Sequence, residues 1–161
     1  MNKIIFLDFD GVITTEKTRY KLDPEKLDLL KEILDETGAK LVISSSWRKY
    51  TLEATKEYLS TVSHFVPFPF PFVDDIIGVT ERLYIKCKDE NYYSVPRGME
   101  IDLWIRKWNK HNEDKIENYI ILDDDLDMLI SQQDHFIHTH WRTCLNKRDV
   151  KKAIKILNGE N

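Results

Sequence analysis

Short apolar runs alternate with segments of helical periodicity along most of the chain. The runs have the length and composition of strands that are buried on both faces of a parallel sheet. They occupy residues 4–7, 40–44, 119–122 and 135–138. Repeated strand–helix–strand units predict an α/β fold, in which helices cover both faces of the sheet and the crossovers are right-handed.

The helices predicted between these strands have recognisable start and stop signals. Asp23 and Pro24 form a pair typical of an N-cap and a first helical residue, and Gly38 ends the first helix. A third helix begins near Arg97, after Pro96. The other predicted helices cover residues 51–59, 126–131 and 146–157.

The segment 64–96 does not follow this alternation. It contains alternating prolines and phenylalanines at 67–71, and then β-like runs at 76–80 and 82–87. We predict a loop and a small hairpin beside the sheet. The chain has no room for a second full domain, so it is interpreted as a single domain over residues 1–161.

The composition fits one soluble globular domain. The chain has 161 residues, of which 42% are hydrophobic and 32% charged, and a formal net charge of −4. No apolar run approaches the roughly 20 residues that span a bilayer, and the chain enters a strand without the regions of a signal peptide. We therefore expect a cytoplasmic protein without a membrane partner. The acidic balance disfavours a protein that coats nucleic acid generally, but it leaves room for a local basic rim.

The first predicted strand ends in two carboxylates, Asp8 and Asp10, and Gly11 follows them. Open α/β sheets bind ligands at the carboxyl ends of their strands. Gly11 allows a sharp turn, so both side chains can approach one bound group from different directions. They are candidates for a reaction centre. The alternative is a polar strand end followed by a turn.

A second acidic cluster follows the strand at 119–122 and contains Asp123, Asp124, Asp125 and Asp127. Adjacent carboxylates repel one another, and a divalent cation that prefers oxygen ligands offsets this repulsion. We predict that Asp123 binds a metal ion and that Asp125 or Asp127 is the N-cap of the next helix. A calcium loop is disfavoured because neither acidic segment has the required ligand spacing.

Two further elements supply hydrogen-bond donors for an anion. Ser44, Ser45 and Ser46 lie where the strand at 40–44 ends, and hydroxyls and free backbone N–H groups at such a turn can hold an oxyanion. Alternatively, these serines cap the following helix. Arg97 lies at a helix start, where it can clamp a phosphate bidentately. Alternatively, it is a solvated surface residue.

The cysteines and histidines give weaker signals. Cys87 and Cys144 lack the spacing of a disulfide framework or a zinc cluster and are interpreted as structural thiols. His138 and His140 form an H-x-H pair, but no third ligand lies near them in the sequence. A structural or rim role is the preferred interpretation of this pair.

In this order, the motifs hhhhDxDG, hhhSS, a basic residue at a helix start and hhhDDxxD resemble the haloacid dehalogenase (HAD) superfamily of phosphohydrolases. Segments 44–48, 97–104 and 122–127 look like the HAD domain of Swiss Army Knife RNA-repair proteins, and the phosphatase domain of polynucleotide kinase-phosphatases has a similar motif layout. Val12 stands where Thr is frequent in the family, and Arg97 where Lys is more common. The resemblance implies a Rossmann-like HAD fold with three α/β/α layers, a central, mostly parallel sheet and no full cap.

The resemblance also implies roles for the acidic residues. Asp8 would attack phosphorus to give an aspartyl-phosphate, and Asp10 would protonate the leaving oxygen and then activate water. Mg²⁺ would bind Asp8, the backbone carbonyl of Asp10, and Asp123. Asp124 would be an outer or an alternative metal ligand.

The phosphate-binding residues follow from the same resemblance. Ser44, its neighbouring backbone N–H group and Arg97 would hold the phosphoryl oxygens. Ser45 is the alternative source of the hydroxyl, and the sequence leaves the choice between Ser44 and Ser45 open.

The absence of a large lid predicts an open site, and HAD enzymes without caps tend to act on large substrates. RNA or DNA ends are therefore candidate substrates. Arg19, Lys21 and Arg48 could form a basic rim, with Trp47 stacking on a base. The alternatives are ordinary solvated charges and ordinary packing of the tryptophan. A small-metabolite phosphatase and a catalytically idle module that binds phosphate or RNA ends are the alternative functions.

Overall fold

The computed structural model describes residues 2–160. Its strands are β1 Asn2–Leu7, β2 Thr14–Thr15, β3 Lys21–Leu22, β4 Lys40–Ile43, β5 Ile76–Val79, β6 Tyr84–Lys86, β7 Tyr92–Ser94, β8 Ile116–Asp123 and β9 Phe136–His138. The central sheet has the order β5-β4-β1-β8-β9, and all its neighbouring strands are parallel. This arrangement confirms the predicted α/β fold.

The helices are α1 Pro24–Thr37, α2 Leu52–Ser60, α3 Arg97–His111 and α4 Lys147–Leu157. The Asp23 side chain accepts a hydrogen bond from the Glu25 N–H, and Gly38 caps the other end of α1 with φ 66°. Both ends of α1 were therefore correctly predicted from local capping signals. None of the helices in the described part of the chain is long and apolar enough to cross a membrane.

Helices cover both faces of the sheet because side chains alternate along each strand. Ile5 and Leu7 of β1 belong to the larger core cluster, which includes buried residues of α1 and α4. Ile4 and Phe6 point the other way and pack with Ile101 of α3. Because β1 is the middle strand of the sheet, its carboxyl end lies between those of β4 and β8.

One strand was assigned to the wrong partner. The run at 76–80 was predicted beside the sheet, but β5 within it pairs in parallel with β4 and forms the sheet's edge. Gly78 lets β5 approach α3, because a Cβ atom there would lie 2.6 Å from the ring of Trp104. The small hairpin consists instead of β6 and β7, with Ile85 opposite Tyr93.

The helix predicted at 126–131 was also wrong. The chain is extended at Leu129, and a 3₁₀ helix covers Ile130–His135 instead. Asp127 caps a different helix: its carboxylate accepts a hydrogen bond from the Arg97 N–H at 2.8 Å, at the start of α3. A cap whose partner lies 30 residues earlier leaves no local signal in the sequence.

Candidate active site

The central strands bring three of the predicted motifs together at the carboxyl ends of the sheet's strands. Leu7 of β1 lies opposite Ile43 of β4 on one side and Leu122 of β8 on the other. The next residues, Ser44, Asp8 and Asp123, therefore lie side by side at the ends of three adjacent strands, with Asp8 in the middle. The two acidic strand ends recognised in the sequence, at Asp8 and at Asp123, thus lie on neighbouring parallel strands.

The carboxylates of Asp8, Asp123 and Asp124 form a compact cluster in which one oxygen of each residue lies within 4.8 Å of the others. Asp8 and Asp123 are buried, and Oδ2 of Asp123 has no hydrogen-bond partner. Burial raises the pKa of Asp8 to about 7. Burial, followed by the charge of Asp8, raises the pKa of Asp123 to about 8. A cluster of this kind is suited to a cation, since a positive ion offsets both burial and repulsion.

Asp10 is held by two hydrogen bonds. Oγ1 of Thr14 donates to Oδ1 at 3.0 Å, and the indole Nε1 of Trp47 donates to Oδ2 at 3.1 Å. The chain turns at Gly11, where φ is 70°. The two hydrogen bonds orient both oxygens of the Asp10 carboxylate, although this residue remains partly accessible.

The two serines that end β4 have different surroundings. The Ser45 hydroxyl lies near the Asp8 carboxylate and lowers its pKa, which partly opposes the effect of burial. Ser45 Oγ also accepts a hydrogen bond from the Trp47 N–H at 3.2 Å. Ser44 Oγ, in contrast, is buried without a hydrogen-bond partner. Of the two hydroxyls, that of Ser44 has its hydrogen-bonding capacity unused.

Arg97 reaches the same edge of the sheet from the first turn of α3. Its guanidinium donates a hydrogen bond to the carbonyl of Ser44. Its positive charge lowers the pKa of both Asp8 and Asp123, against the larger effect of burial. The basic residue predicted at a helix start therefore lies beside the acidic cluster.

Residues 4–150 match the family described as the HAD domain in Swiss Army Knife RNA repair proteins. The chain belongs to this HAD family. None of the curated proteins and none of the solved structures compared with the chain gives a match. Membership confirms the resemblance drawn from the motifs and supports phosphohydrolase-type chemistry in the context of RNA repair.

One predicted rim residue of the HAD domain is not on a rim. Arg48 is only 4% exposed and pairs with the buried Glu100, with 2.6 Å between its Nη2 and Oε2. It also donates to the carbonyl of Ser45 at 2.7 Å and to that of Thr80 at 2.9 Å. The tight turn in which the Arg48 N–H bonds to the Ser45 carbonyl directs this side chain inward.

The other rim candidates of the HAD domain differ in position. Trp47 is half-buried and stacks on Phe9, with 5.0 Å between the ring centroids. Arg19 is exposed in the turn between β2 and β3, and Lys21 lies in β3. His138 is at the edge of the acidic cluster, where its Nε2 hydrogen-bonds the Asp124 carbonyl at 2.9 Å.

Sequence reasoning missed two polar residues of the site, Thr14 and Glu100. Thr14 lies four residues after Asp10 and could have been found by searching for a nearby hydroxyl. Glu100 contacts Arg48 at 2.6 Å and lies 4.0 Å from Nε of Arg97. Glu100 lies three residues after Arg97 on the same helix, and this spacing could have indicated a contact between the two side chains. Its pairing with Arg48, in contrast, depends on the tertiary fold.

Proposed function

We propose that this HAD domain is a Mg²⁺-dependent phosphomonoester hydrolase that works through an aspartyl-phosphate on Asp8. One observation carries the proposal. A buried carboxylate oxygen of Asp123 has no partner and belongs to the same cluster as the Asp8 carboxylate, at a sheet edge that also holds Ser44 and Arg97. A metal ion offsets the burial and repulsion of these carboxylates, and a phosphate group matches the donors of Ser44 and Arg97.

The residues present fit Mg²⁺. Their donors are carboxylate oxygens, which this hard cation prefers, and the orphaned Oδ2 of Asp123 is available to it. Asp8, Asp123 and Asp124 would hold the ion, together with the backbone carbonyl of Asp10. When bound, Mg²⁺ would neutralise charge on the phosphoryl group and on the carboxylates around it.

Asp8 would act as the nucleophile. A carboxylate oxygen of Asp8 forms a bond to phosphorus while the bond from phosphorus to the ester oxygen breaks, so that the alcohol leaves and an acyl phosphate remains. The Ser45 hydroxyl lowers the pKa of Asp8 and so favours the ionised form that attacks. The Asp8 N–H donates to the Leu122 carbonyl at 3.0 Å, which fixes the backbone of the nucleophile at the end of β1.

Asp10 would transfer the protons. It gives a proton to the departing oxygen in the first step and takes one from the attacking water in the second, when phosphate is released and Asp8 is regenerated. The hydrogen bonds from Thr14 and Trp47 orient its two oxygens. With two carboxylates at the site, Asp8 can form the bond to phosphorus while Asp10 transfers the proton.

Ser44 and Arg97 would bind the phosphoryl oxygens. The Ser44 hydroxyl is favoured over that of Ser45 because it is buried without a partner, whereas Ser45 Oγ already accepts a hydrogen bond from the Trp47 N–H. Arg97 supplies a positive charge beside the same carboxylates. Together they would compensate the charge that the phosphate brings to an acidic site.

RNA or DNA ends carrying a phosphate are the proposed substrates. The family context of RNA repair supports this substrate class. The chain also inserts only the short hairpin of β6 and β7 between β5 and α3, which is compatible with a large substrate. Arg19 and Lys21 are the basic residues that remain as rim candidates.

Phosphate release from a panel of phosphomonoesters, including 5′- and 3′-phosphorylated oligonucleotides, tests the proposal. Activity should require Mg²⁺ and disappear in a chelator. Asp8→Asn should lower kcat by about a thousandfold or more while the circular dichroism spectrum is retained. Asp28→Asn, on the exposed side of α1, is the matched control and should behave as the wild type.

Two results would contradict the proposed chemistry. Hydrolysis by Asp8→Asn at the wild-type rate would exclude this residue as the nucleophile. Binding of phosphorylated ends without hydrolysis of any ester, in the presence of Mg²⁺, would identify a binding module instead of an enzyme.

A further inference from the structure

A cavity of about 400 Å³ opens beside Asp10. This volume lies within the range of small-molecule sites. The cavity is lined by Asp10, Tyr20, Ser46, Trp47, Lys49, Tyr58 and Phe65. Four of these side chains are aromatic, and one carries a positive charge.

The aromatic walls come from four separate parts of the chain. Trp47 uses its contact with Phe9 to pack against the core, and it meets Tyr58 and Phe65 edge-on, with centroids 6.4 and 6.1 Å away. Tyr20 and Phe65 are 54% and 49% exposed. Partly exposed aromatic rings around a cavity provide surfaces on which another flat ring can stack.

The backbone holds Tyr20 in an unusual conformation. Arg19 and Tyr20 are consecutive residues with φ of 55° and 60°, in the left-handed region that favours glycine. The Tyr20 N–H donates to the Thr15 carbonyl at 2.8 Å, which keeps the turn closed. Residues held in this region are found preferentially at functional sites. The turn places the Tyr20 ring at the cavity.

Lys49 gives the cavity a positive charge. Its Nζ lies 3.7 Å from the centroid of the Tyr58 ring, in a cation–π contact. The ammonium group of Lys49 is thereby kept close to the aromatic wall. A ligand that carries an anionic group alongside a flat ring matches both features.

We propose that this cavity binds the nucleobase of a nucleotide that is the leaving group. The inference rests on the proposed function, in which Asp10 protonates the leaving oxygen. Since Asp10 also lines the cavity, the leaving group lies on this side of the site. The base stacks against Tyr20 and Phe65, and Lys49 faces a neighbouring phosphate of the same strand.

A phosphotyrosine side chain is a poorer match for these residues. Its ring is attached directly to the ester oxygen, and it has no second phosphate beside the ring for Lys49 to face. A nucleotide within a strand has both a base and an adjacent phosphate. The charge of the cavity wall therefore favours the nucleotide.

The test uses oligonucleotides whose terminal phosphate is on a nucleotide either with its base or without it, at the 5′ and at the 3′ end. The wild type should show a kcat/KM about tenfold higher for the base-bearing member of a pair, at the end that it prefers. Tyr20→Ala and Phe65→Ala should bring this ratio towards one. Tyr20→Phe keeps the ring and should keep the ratio. Tyr50→Ala is the control, since Tyr50 is fully exposed and does not line the cavity.

A binding measurement separates this inference from the proposed chemistry. Adenosine 5′- or 3′-monophosphate, chosen according to the preferred end, is compared with the ribose phosphate that carries a hydroxyl in place of the base, and the affinities of both for Asp8→Asn are measured by calorimetry. We expect about tenfold tighter binding of the adenosine compound, and loss of the difference when Phe65→Ala is added. Circular dichroism of each variant checks that it has folded.

Equal affinities, equal kcat/KM for the paired oligonucleotides, or a preference for phosphotyrosine would overturn the nucleobase site. Base-dependent binding without hydrolysis of any ester would support the nucleobase site and overturn the proposed hydrolase. Hydrolysis without any base dependence would do the reverse.

Discussion

The indole Nε1 of Trp47 donates a hydrogen bond to Oδ2 of Asp10 over 3.1 Å, although the two residues are 37 positions apart. The other oxygen of Asp10 accepts from Thr14 at 3.0 Å. Two donors on different segments thus fix the carboxylate that is proposed to transfer protons. An acid or base that is oriented in this way loses less entropy when it meets the substrate.

Removing either donor should lower the rate of the proposed reaction. Trp47→Phe keeps a ring against Phe9 but loses the Nε1–H group, and Thr14→Val loses the hydroxyl. A hydrogen bond to a charged group contributes about 1.5–3 kcal/mol, so kcat should fall about tenfold or more in each variant. Steady-state kinetics should show a smaller change in KM.

The control for Trp47→Phe is Trp108→Phe, because the indole of Trp108 donates to the carbonyl of Asp114 near the other end of α3. This variant should retain the wild-type kcat. If both tryptophan variants lose activity equally, the effect is on folding and not on Asp10.

The acidic cluster should make the stability of the metal-free protein depend on pH. Burial raises the pKa of Asp8 to about 7 and that of Asp123 to about 8, from a value of 3.8 for the free side chain. Between the free and folded values the folded protein binds more protons than the unfolded chain. These two residues therefore make the free energy of unfolding fall as the pH rises through this window.

Thermal unfolding in a chelator and in Mg²⁺ measures this effect. The increase in Tm caused by Mg²⁺ should be larger near pH 8 than near pH 5, because the cation binds ionised carboxylates. Asp123→Asn should reduce both the pH dependence and the response to Mg²⁺, whereas Asp28→Asn should change neither. A Mg²⁺ response that is the same at both pH values would argue against a cation at this cluster.

Local signals predicted most of the sheet and the two acidic strand ends. The run before Asp8 is apolar and short, and so is the run before Asp123, and both are parallel strands of the central sheet. Pro96 likewise predicted that a helix would begin near Arg97. These features depend on residues that are close together in the sequence.

The features that were missed depend on partners far away in the sequence. Arg48 looked like a surface residue because its partner, Glu100, is 52 positions away. The run that contains β5 could pair with a hairpin partner or with β4, and the choice depends on how Gly78 packs on α3. In each case the sequence pattern predicts the type of residue or element but not the partner that it contacts in the fold.

The buried pair of Arg48 and Glu100 should contribute to stability and not to the recognition of substrate. Burial lowers the pKa of Arg48 to about 10, so its guanidinium remains charged at neutral pH. Arg48→Ala leaves the Glu100 carboxylate buried without its partner, which should lower the free energy of unfolding by about 3–5 kcal/mol. Urea denaturation measures this change.

Arg106→Ala is the control because Arg106 is exposed and its pair with Asp102 lies on the surface of α3. Its effect should be within about 0.5 kcal/mol of zero. The double replacement of Arg48 by Met and Glu100 by Leu should recover part of the stability lost in Arg48→Ala. Wild-type stability of Arg48→Ala, combined with a weaker salt dependence of oligonucleotide binding, would restore the interpretation of Arg48 as a rim residue.

Gly11 and Gly38 allow backbone strain to be separated from contact with the metal site. Both have a positive φ, 70° and 66°, so alanine should be strained at either position by about 1–2 kcal/mol. A Cβ at Gly11 would lie 2.2 Å from Oδ2 of Asp124, whereas a Cβ at Gly38 would meet no atom within 4 Å. Only Gly11→Ala should displace a carboxylate of the cluster.

We therefore expect both glycine variants to have a lower Tm but only one to bind metal poorly. The Mg²⁺ concentration for half-maximal activity, or for half of the Tm increase, should rise about tenfold or more in Gly11→Ala, as for the loss of other groups that support metal ligands. It should be unchanged in Gly38→Ala. If the two variants respond to Mg²⁺ alike, then Asp124 does not help to hold the ion, and Asp8 and Asp123 remain as its carboxylate ligands.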